Sequence, residues 1–346
     1  MALCAMMGTA TLTSCEGTLD DVFGEWSRPT KTEPTLSIEE TPLTIEAVEA
    51  GTIQVIYQGD LKISKPITYT KNGVSTSITA TTDIAVAAGD VVSFSSENSS
   101  VNDDATGWLN ILADHKIYVY GNVMSLINDE GDFSKDKTIS GDYALAGLFQ
   151  DNAQLYNHPE KKLLLPATTL YASCYNQMFY NCTSLTTAPE LPATTMADNC
   201  YYCMFYGCTS LKTAPELPAT TLATRCYLSM FQGCSSLKTA PELPATTLAT
   251  RCYYTMFYKC SGLETAPVLP ATTLAEKCYY GMFMYCPKLS SVSCKATSGM
   301  NTTNLAFWLD YAGSDATSPT LHVTNGKKLE EWNLPSSVTW TVVDDL

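Results

Sequence analysis

The chain has 346 residues, of which 45% are hydrophobic and 16% are charged, and its formal net charge is −15. This composition is globular rather than disordered, and the length exceeds one ordinary core, so we expect two or three domains. Residues 16–164 carry 23 acidic against 10 basic residues, whereas residues 165–290 carry 6 against 7. Neither part has the dense basic composition that binding the phosphate backbone of a nucleic acid requires, which argues against nucleic acid as a partner.

The first fifteen residues are apolar and small, and they end in Leu12-Thr13-Ser14-Cys15. This ending resembles a bacterial lipobox, which implies a lipoprotein signal segment over residues 1–15 and a lipid on Cys15. The acidic residues that follow loosely resemble the signal that sends Bacteroidetes lipoproteins to the cell surface: Glu16, Asp20 and Asp21. The basic segment that normally opens such a signal is missing, which indicates that the natural start lies upstream of Met1 or was trimmed. The alternative is a cytosolic N-terminus with a chance cysteine.

Residues 16–38 mix threonine, proline, serine and acids, a composition typical of an extended tether. From Leu43 the hydrophobic period changes to two, which indicates half-buried strands. The expected strands are 44–49, 53–57, 67–70, 74–78, 84–86, 91–95 and 117–123. Asn72-Gly73 is the pair best suited to the positive φ angles of a type I′ hairpin turn. We therefore predict a small immunoglobulin-like β-sandwich over residues 39–125.

A 26-residue unit then repeats five times between Leu165 and Leu289. Leu-Pro and Met-Phe recur once in each unit, and cysteines recur twice, at 174, 200, 226, 252 and 278 and at 182, 208, 234, 260 and 286. A fixed period of this length predicts a solenoid, whose units bury their apolar faces against one another. An incomplete unit precedes the five, because residues 148–155 align with residues 178–185 and place Asn152 at a cysteine position.

The unit 247–270 predicts the fold of one coil. Four of its apolar residues are spaced by four: Leu248, Cys252, Met256 and Cys260. On an α-helix this spacing forms one narrow stripe, so we predict a short helix in each coil. Pro267 and Pro270 keep the next segment extended, as a short strand. Strands stack about 4.8 Å apart and helices about 8–10 Å apart, so the coils should form an arc with a concave strand face.

One motif carries a family resemblance. The segment 231–237, Phe-Gln-Gly-Cys-Ser-Ser-Leu, followed by Leu243-Pro244, resembles the BspA-type leucine-rich repeats of bacterial surface proteins, over about residues 145–295. The resemblance implies an α+β, right-handed leucine-rich-repeat solenoid, exposure at the outer membrane surface, and adhesion or host contact without catalytic residues. We expect the solenoid over residues 126–295 and a C-terminal cap over residues 296–346. Within the cap region the expected elements are strands at 290–295, 320–324 and 339–343 and a helix at 303–311.

Fourteen cysteines in an exported protein would usually indicate disulfides. On the predicted helix, however, Cys252 and Cys260 lie roughly 12 Å apart. Equivalent cysteines in adjacent coils would be separated by the helix spacing, and a disulfide needs Cα atoms within about 7 Å. We therefore expect small buried thiols that fill a tight core.

Neither metal binding nor catalysis has a convincing set of residues. Cys200-Tyr201-Tyr202-Cys203 forms a CxxC, but a zinc site needs four converging ligands, and the three histidines lie in three different regions of the chain. No glycine-rich phosphate loop, nucleophile elbow or cysteine–histidine pair is visible in the sequence. We therefore expect no metal, no cofactor and no enzymatic activity.

Two sets of residues are candidate ligand contacts. The outward positions of the predicted helix hold aromatic side chains, which are common in binding surfaces: Tyr202, Tyr206, Tyr254 and Tyr258. The strand face holds a threonine ladder with acids nearby: Thr187, Thr213, Thr239, Thr265, Glu216 and Glu242. Plain surface decoration and a ladder that only satisfies a solvated sheet are the alternatives. The expected concavity favours the strand face.

Three functions are compatible with the sequence. The first is a lipid-anchored surface protein whose β-sandwich raises the solenoid to bind an extracellular protein. The second is a glycan-capture lipoprotein for polysaccharide uptake, in which the tyrosines stack on sugar rings. The third is a structural spacer without a ligand. Because solenoids usually present surfaces rather than active sites, protein binding or adhesion is the leading hypothesis.

Overall fold

The computed structural model describes residues 36–59, 61, 63–102, 107–129, 131–324 and 329–346. Cys15 and the rest of the predicted signal segment lie outside these residues, as does most of the predicted tether. Residues 37–346 form one compact unit. The secondary structure is mostly β, with two short 3-10 helices, Val123–Leu126 and Leu329–Trp332, and no α-helix in the described part of the chain. The helical part of the predicted α+β class is therefore wrong.

Eight strands form two sheets near the N-terminus: β1 (Leu43–Ala47), β2 (Gly51–Gly59), β3 (Ile67–Lys71), β4 (Val74–Ile78), β5 (Thr82–Val86), β6 (Val91–Ser96), β7 (Gly107–Ala113) and β8 (Ile117–Asn122). These strands are antiparallel, in the orders β8-β1-β6-β3-β4 and β5-β2-β7. Apolar residues of both sheets enter one hydrophobic core, for example Phe94 and Ile111. Two later strands, β9 (Leu155–Asn157) and β10 (Leu163–Leu164), pair parallel with β8 and connect the repeats to this sheet.

The predicted hairpin is confirmed. Asn72 and Gly73 have φ angles of 51° and 76°, and Lys71 lies opposite Val74. Both angles are positive, as a type I′ turn requires. By contrast, β7 is not among the predicted strands. Its burial does not alternate, because Asn110 is buried and its Nδ2 donates to the carbonyl oxygens of Gly147 and Gln150 at 2.8 and 2.9 Å.

Each repeat forms consecutive four-residue turns where the sequence predicts a helix. In residues 249–260, every second N–H donates to the carbonyl three residues earlier, at 3.0–3.3 Å. The remaining N–H groups, from Arg251 to Lys259, donate to carbonyls of the next coil at 2.8–3.2 Å. Neither set is the i→i−4 pattern of an α-helix. The predicted helix is therefore wrong, and successive coils are joined by backbone hydrogen bonds on this side, which we call the turn face.

The turn face has a strict period of four. Arg251, Thr255 and Lys259 have φ angles of 56°, 50° and 60°, and equivalent residues of the other coils are also left-handed. Each turn directs two residues into the core and two outward, so that Cys252 and Tyr253 are buried and Tyr254 is half-buried. Buried rings of successive coils stack in ladders with centroids 5.5–6.1 Å apart. The coils therefore stack in a solenoid-like arrangement.

The opposite side of each coil, which we call the proline side, is extended, and in three coils it follows the pattern Ala-Pro-Glu-Leu-Pro, as in residues 188–192. Prolines have no N–H to donate. Across this side the central coils pair through isolated parallel bridges, such as Thr187 with Thr213 and Thr239 with Thr265. The predicted arc required helices 8–10 Å apart on one face. Because both sides stack at a hydrogen-bonded backbone spacing, this reason for a concave strand face no longer holds.

The turn pattern continues past the last clean repeat. N–H groups of Tyr279, Gly281, Phe283 and Tyr285 donate to carbonyls within residues 304–310. The helix expected at 303–311 is therefore wrong. On the other side the expected strands are confirmed within a four-stranded parallel sheet: β11 (Val268–Leu269), β12 (Ser291–Cys294), β13 (Thr320–Val323) and β14 (Thr341–Asp344).

The twelve described cysteines are free and buried. The second thiol of each coil donates to a phenylalanine carbonyl of the preceding coil, as from Cys234 Sγ to Phe205 O at 3.1 Å and from Cys260 Sγ to Phe231 O at 3.0 Å. The sequence-based argument that equivalent cysteines of adjacent coils lie too far apart for a disulfide is wrong. Adjacent coils stack at a hydrogen-bonded backbone spacing, which a disulfide can span. All twelve thiols are buried, and the second thiol of each coil also makes this S–H hydrogen bond.

Candidate binding surfaces

The outward positions of the turn face carry two rows of contacting aromatic side chains near the C-terminal end of the stack. Tyr254 stacks on Tyr280 with ring centroids 4.4 Å apart, and Tyr280 meets Phe307 edge-on at 5.5 Å. In a second row, Tyr258 meets Tyr285 edge-on at 5.8 Å, and Tyr285 stacks on Tyr311 at 4.8 Å. We call these six residues the C-terminal aromatic surface.

This surface is exposed at its outer members. Tyr285, Phe307 and Tyr311 are 38%, 47% and 48% exposed, and they are three of the nine exposed large hydrophobic residues in the described part of the chain. Scattered exposed apolar residues are ordinary, whereas contiguous ones mark interaction sites. Partial burial raises the pKa of Tyr254, with a further contribution from the Tyr280 hydroxyl, so the phenol stays neutral at physiological pH.

The four tyrosines predicted as contacts do not form one site. Tyr254 and Tyr258 belong to the C-terminal aromatic surface, whereas Tyr202 and Tyr206 lie two coils earlier. Tyr206 stacks on Tyr180 at 4.6 Å and accepts a hydrogen bond from Gln232 Nε2 at 3.3 Å. The intervening coil carries Leu228 and Gln232 at the outward positions, so the aromatic face is divided into two groups.

The candidate residues named from the sequence include two of the six residues of the C-terminal aromatic surface and omit Tyr280, Tyr285, Phe307 and Tyr311. Tyr285 corresponds to Lys259 of the preceding coil, and Phe307 and Tyr311 lie in the segment assigned to the cap. A helix period of 3.6 does not place these side chains beside Tyr254 and Tyr258. A period of four residues, with two outward residues in each turn, does place them beside Tyr254 and Tyr258. This period could have been found by continuing the spacing past Leu289.

The proline side contains a groove of about 610 Å³ at the junction between the first repeats and β8. Three predicted residues line it, namely Thr187, Thr213 and Glu216, and all three are exposed. The apolar lining includes Leu185 and Leu191. The groove therefore combines an apolar lining with polar edges, which is the usual composition of a ligand cleft.

Two ion pairs flank this groove. Lys162 Nζ lies 2.8 Å from Glu190 Oε1, and Lys161 Nζ lies 3.3 Å from Glu46 Oε2 and 4.1 Å from the centre of the Tyr120 ring. The lysines at the groove are thus each paired with a carboxylate. Among the described residues that line the groove, no lysine is left unpaired to select an anionic ligand.

His158 also lines the groove, but its contacts are those of a structural residue. Its Nδ1 accepts from the backbone N–H groups of Glu160 and Lys161 at 3.0 and 2.9 Å. Its ring meets Tyr118 and Tyr120 edge-on at 5.3 and 5.2 Å. Burial lowers the pKa of His158, which keeps the imidazole neutral and suited to holding the loop before β10.

The remaining predicted strand-face residues lie outside the groove. Thr239 lines a separate depression of about 340 Å³. Glu242 and Thr265 are exposed and line neither the groove nor this depression. The backbone of Thr239 bridges to Thr265, and that of Thr187 bridges to Thr213. The threonine ladder therefore joins coils through its backbone and does not converge on one ligand position.

The described ranges hold neither a metal-binding cluster nor a membrane-spanning helix. Within them, no three histidine, cysteine or acidic side chains converge as metal ligands. The same residues include no helix of the length and apolarity needed to cross a bilayer. The cysteine of the CxxC that is not shared by other repeats, Cys203, is buried, and burial raises its pKa to about 12. It is therefore a protonated thiol and a poor nucleophile.

Comparison with known proteins gives no match: no family model fits the chain, and no curated protein or solved structure is significantly similar to it.

Proposed function

We propose that this chain is a non-catalytic binding protein that contacts an extracellular protein through its C-terminal aromatic surface. The observation that carries this proposal is the exposure of Tyr285, Phe307 and Tyr311 within two rows of contacting aromatic rings, whose other members are half-buried. Aromatic residues offer large, stiff contact areas and are enriched in protein interfaces. The proposal replaces the strand face as the preferred site, because the concavity that favoured it no longer has a physical basis.

The ring geometry favours a protein over a glycan as the ligand of this surface. Stacking on a sugar requires an open ring face. In the pairs Tyr254–Tyr280 and Tyr285–Tyr311, stacking covers one face of every ring, so fewer ring faces are open to a sugar, while edges and hydroxyl groups are available to a partner. Edges with polar tips suit the mixed apolar and polar surface of a protein. Glycan capture remains the alternative, with the groove of the proline side as its site.

The architecture around the surface supports a role outside the cell. We propose that the two N-terminal sheets are an immunoglobulin-like sandwich over residues 39–125, which raises a BspA-type, right-handed leucine-rich-repeat solenoid over residues 126–295. In this proposal residues 296–346 form the cap, residues 16–38 form the tether, and Cys15 carries a lipid at the outer membrane. The supporting observations are the lipobox-like sequence and the repeat of Phe-x-x-Cys-x-x-Leu with Leu-Pro.

The binding proposal is tested with three sets of substitutions. The first replaces Tyr254, Tyr258, Tyr285 and Tyr311 by serine, the second replaces Tyr180, Tyr202 and Tyr206 by serine, and the third replaces Thr187 and Thr213 by alanine and Glu216 by glutamine. Binding to immobilised extracellular-matrix proteins and to a glycan array is then measured for each. We expect the first set alone to abolish protein binding.

Each other outcome has a distinct meaning. Loss of glycan binding in the third set alone would support the glycan-capture alternative. Binding that no set changes would move the function to the N-terminal sheets, and no binding by the unchanged protein would favour a spacer. Thermal unfolding of every variant separates loss of a contact from loss of the fold.

The anchor is tested separately. Expressed in a suitable bacterial host, the protein should incorporate labelled fatty acid, and Cys15→Ala should abolish that incorporation. Cys4→Ala is the matched control, since it removes a cysteine from the same segment outside the lipobox-like sequence. Equal labelling of the Cys15→Ala variant and the unchanged protein would remove the membrane anchor from the proposal.

A further inference from the structure

A small depression with three lysines lies at the corner between the turn face and the proline side. It has a volume of about 340 Å³ and is lined by Lys212, Lys238, Lys288, Ser235, Ser236, Thr239 and Gly262. All three lysines are exposed. They are three of the seven basic residues in residues 165–290, so this corner concentrates the positive charge of the repeats.

The depression is formed by the backbone at Gly262. The equivalent positions of neighbouring coils hold Ser236 and Lys288, whereas Gly262 has no side chain. A Cβ atom built there would lie 2.3 Å from the carbonyl oxygen of Ser235. Only glycine fits at this close approach of two coils, so backbone rather than a side chain lines the depression at this position.

The lysines are incompletely neutralised. Lys238 Nζ lies 3.7 Å from Glu264 Oε1, with both side chains at least half exposed. Across the described residues, neither Lys212 nor Lys288 has a carboxylate within 4.0 Å. Lys212 and Lys238 occupy equivalent positions of consecutive coils, an arrangement in which like charges repel. An anion bound between the lysines would remove that repulsion.

We propose that this depression binds a tetrahedral oxyanion, a sulfate or phosphate ester group of a larger ligand. Lysines act as point charges without the planar, two-pronged geometry with which arginine matches carboxylates. The hydroxyl groups of Ser235, Ser236 and Thr239 can donate to further oxygens of such a group. This site is independent of the C-terminal aromatic surface, and it differs from the groove, whose lysines are each paired with a carboxylate.

The site is tested by titrating the full chain with three polyanions at equal ionic strength. A heparin-derived oligosaccharide carries sulfate groups, inositol hexakisphosphate carries phosphate groups, and polyglutamate carries only carboxylates. The test variant is Lys212→Gln with Lys288→Gln. The control, Lys65→Gln with Lys135→Gln, removes the same charge from two other exposed lysines, each paired with one carboxylate.

We expect the unchanged protein to bind the sulfated or the phosphorylated probe more tightly than polyglutamate. The test variant should lose about tenfold in affinity, since each exposed lysine contributes a few-fold through charge attraction. The control should lose less than about twofold. The probe that binds better identifies the ester as sulfate or phosphate.

Three results would overturn the proposal: no binding of either ester probe, equal binding of polyglutamate, or the same loss in test and control variants. The last would show that only the overall charge matters. Because the substituted lysines are exposed, the variants should remain folded, and a far-ultraviolet spectrum checks this. Protein binding by the aromatic surface should be unchanged in the test variant, so failure of this site is distinguishable from failure of the proposed function.

Discussion

The turn face and the proline side of each coil share one repeat but hold their neighbours in different ways. On the turn face, every second N–H donates to the next coil, and buried rings form stacked ladders. On the proline side, Pro189 and Pro192 remove donors, and isolated bridges such as Thr187 with Thr213 remain. The turn face therefore holds the coils in register, whereas on the proline side the attachment of neighbouring coils depends on side-chain burial.

The two sides of each turn differ in how far their residues can vary. The two inward residues are fixed by packing in the core, whereas the two outward residues lie outside the core and can vary. Tyr258 and Gln232 occupy equivalent outward positions, while Phe257 and Phe231 behind them are the same and fully buried. The turn face therefore combines the most constrained positions of the coil with some of the least constrained.

The largest expected effect comes from the centre of the turn face. Phe231 is completely buried and stacks between Phe205 and Phe257 at 5.7 Å on each side. Phe231→Ala should lower the free energy of unfolding by about 3–5 kcal/mol in urea denaturation. The adjacent outward residue, Gln232, provides the control. Gln232→Ala should change the free energy of unfolding by about 0.5 kcal/mol or less. Similar effects of the two would contradict the two-in, two-out arrangement.

The thiol ladder gives the next test. Burial raises the pKa of Cys252 and Cys260 to about 12, so neither forms appreciable thiolate at pH 8.5 in the folded protein. Alkylation there should be at least about a hundredfold slower than in the unfolded protein, whose cysteines have pKa values near 8.5. Mass spectrometry without reductant should also find the ten repeat cysteines alkylatable after unfolding. Mostly bridged cysteines would contradict the structure.

The same groups predict how stability depends on pH. Because the folded-state pKa of these thiols is raised, the folded protein holds their protons more tightly than the unfolded chain. Their contribution is complete below about pH 8.5 and is lost as the pH rises toward 12. Urea denaturation at increasing pH should show a falling free energy of unfolding above about pH 8.5. A constant or rising value would contradict burial of the thiols.

The start of the stack offers a smaller and more specific effect. Asn152 is buried and its Nδ2 donates to the carbonyl of Ile111 on β7 at 3.0 Å. In the next coil, Cys182 Sγ donates to Phe149 O at 3.1 Å in the equivalent way. Asn152→Ala should cost about 1–3 kcal/mol, because the buried carbonyl loses its donor. Asn152→Cys restores the donor found in later coils and should cost less.

Much of this fold could be predicted from the sequence because burial follows the repeat. The inward residues Cys252, Met256 and Cys260 are all buried, and the Asn72-Gly73 turn forms as expected. The helix could not be predicted correctly from spacing by four alone, since four-residue turns give the same spacing. A step of four drifts by about 40° on a helix of 3.6 residues per turn, so Leu248 and Cys260 would not have shared one stripe.

A second signal against the helix was present in the sequence. Gly207, Gly233 and Gly281 fall inside the predicted helices, where glycine is unfavourable. In the structure all three have positive φ, at the same places in the turn as left-handed residues of other coils. The candidate site was harder to predict, because Phe307 and Tyr311 join it only if the four-residue period is followed past the last repeat.

The most direct test of the turn structure is a pair of substitutions at Lys259. This exposed residue has a φ of 60°, and its Nζ lies 5.1 Å from the centre of the Tyr258 ring. Lys259→Gly and Lys259→Ala both remove that contact. The difference between their free energies of unfolding therefore reports the effect of the backbone conformation at residue 259 alone. A left-handed turn predicts that the glycine variant is more stable by about 1 kcal/mol. An alanine variant more stable by about 1 kcal/mol, as in an α-helix, would contradict the turn structure of the repeats.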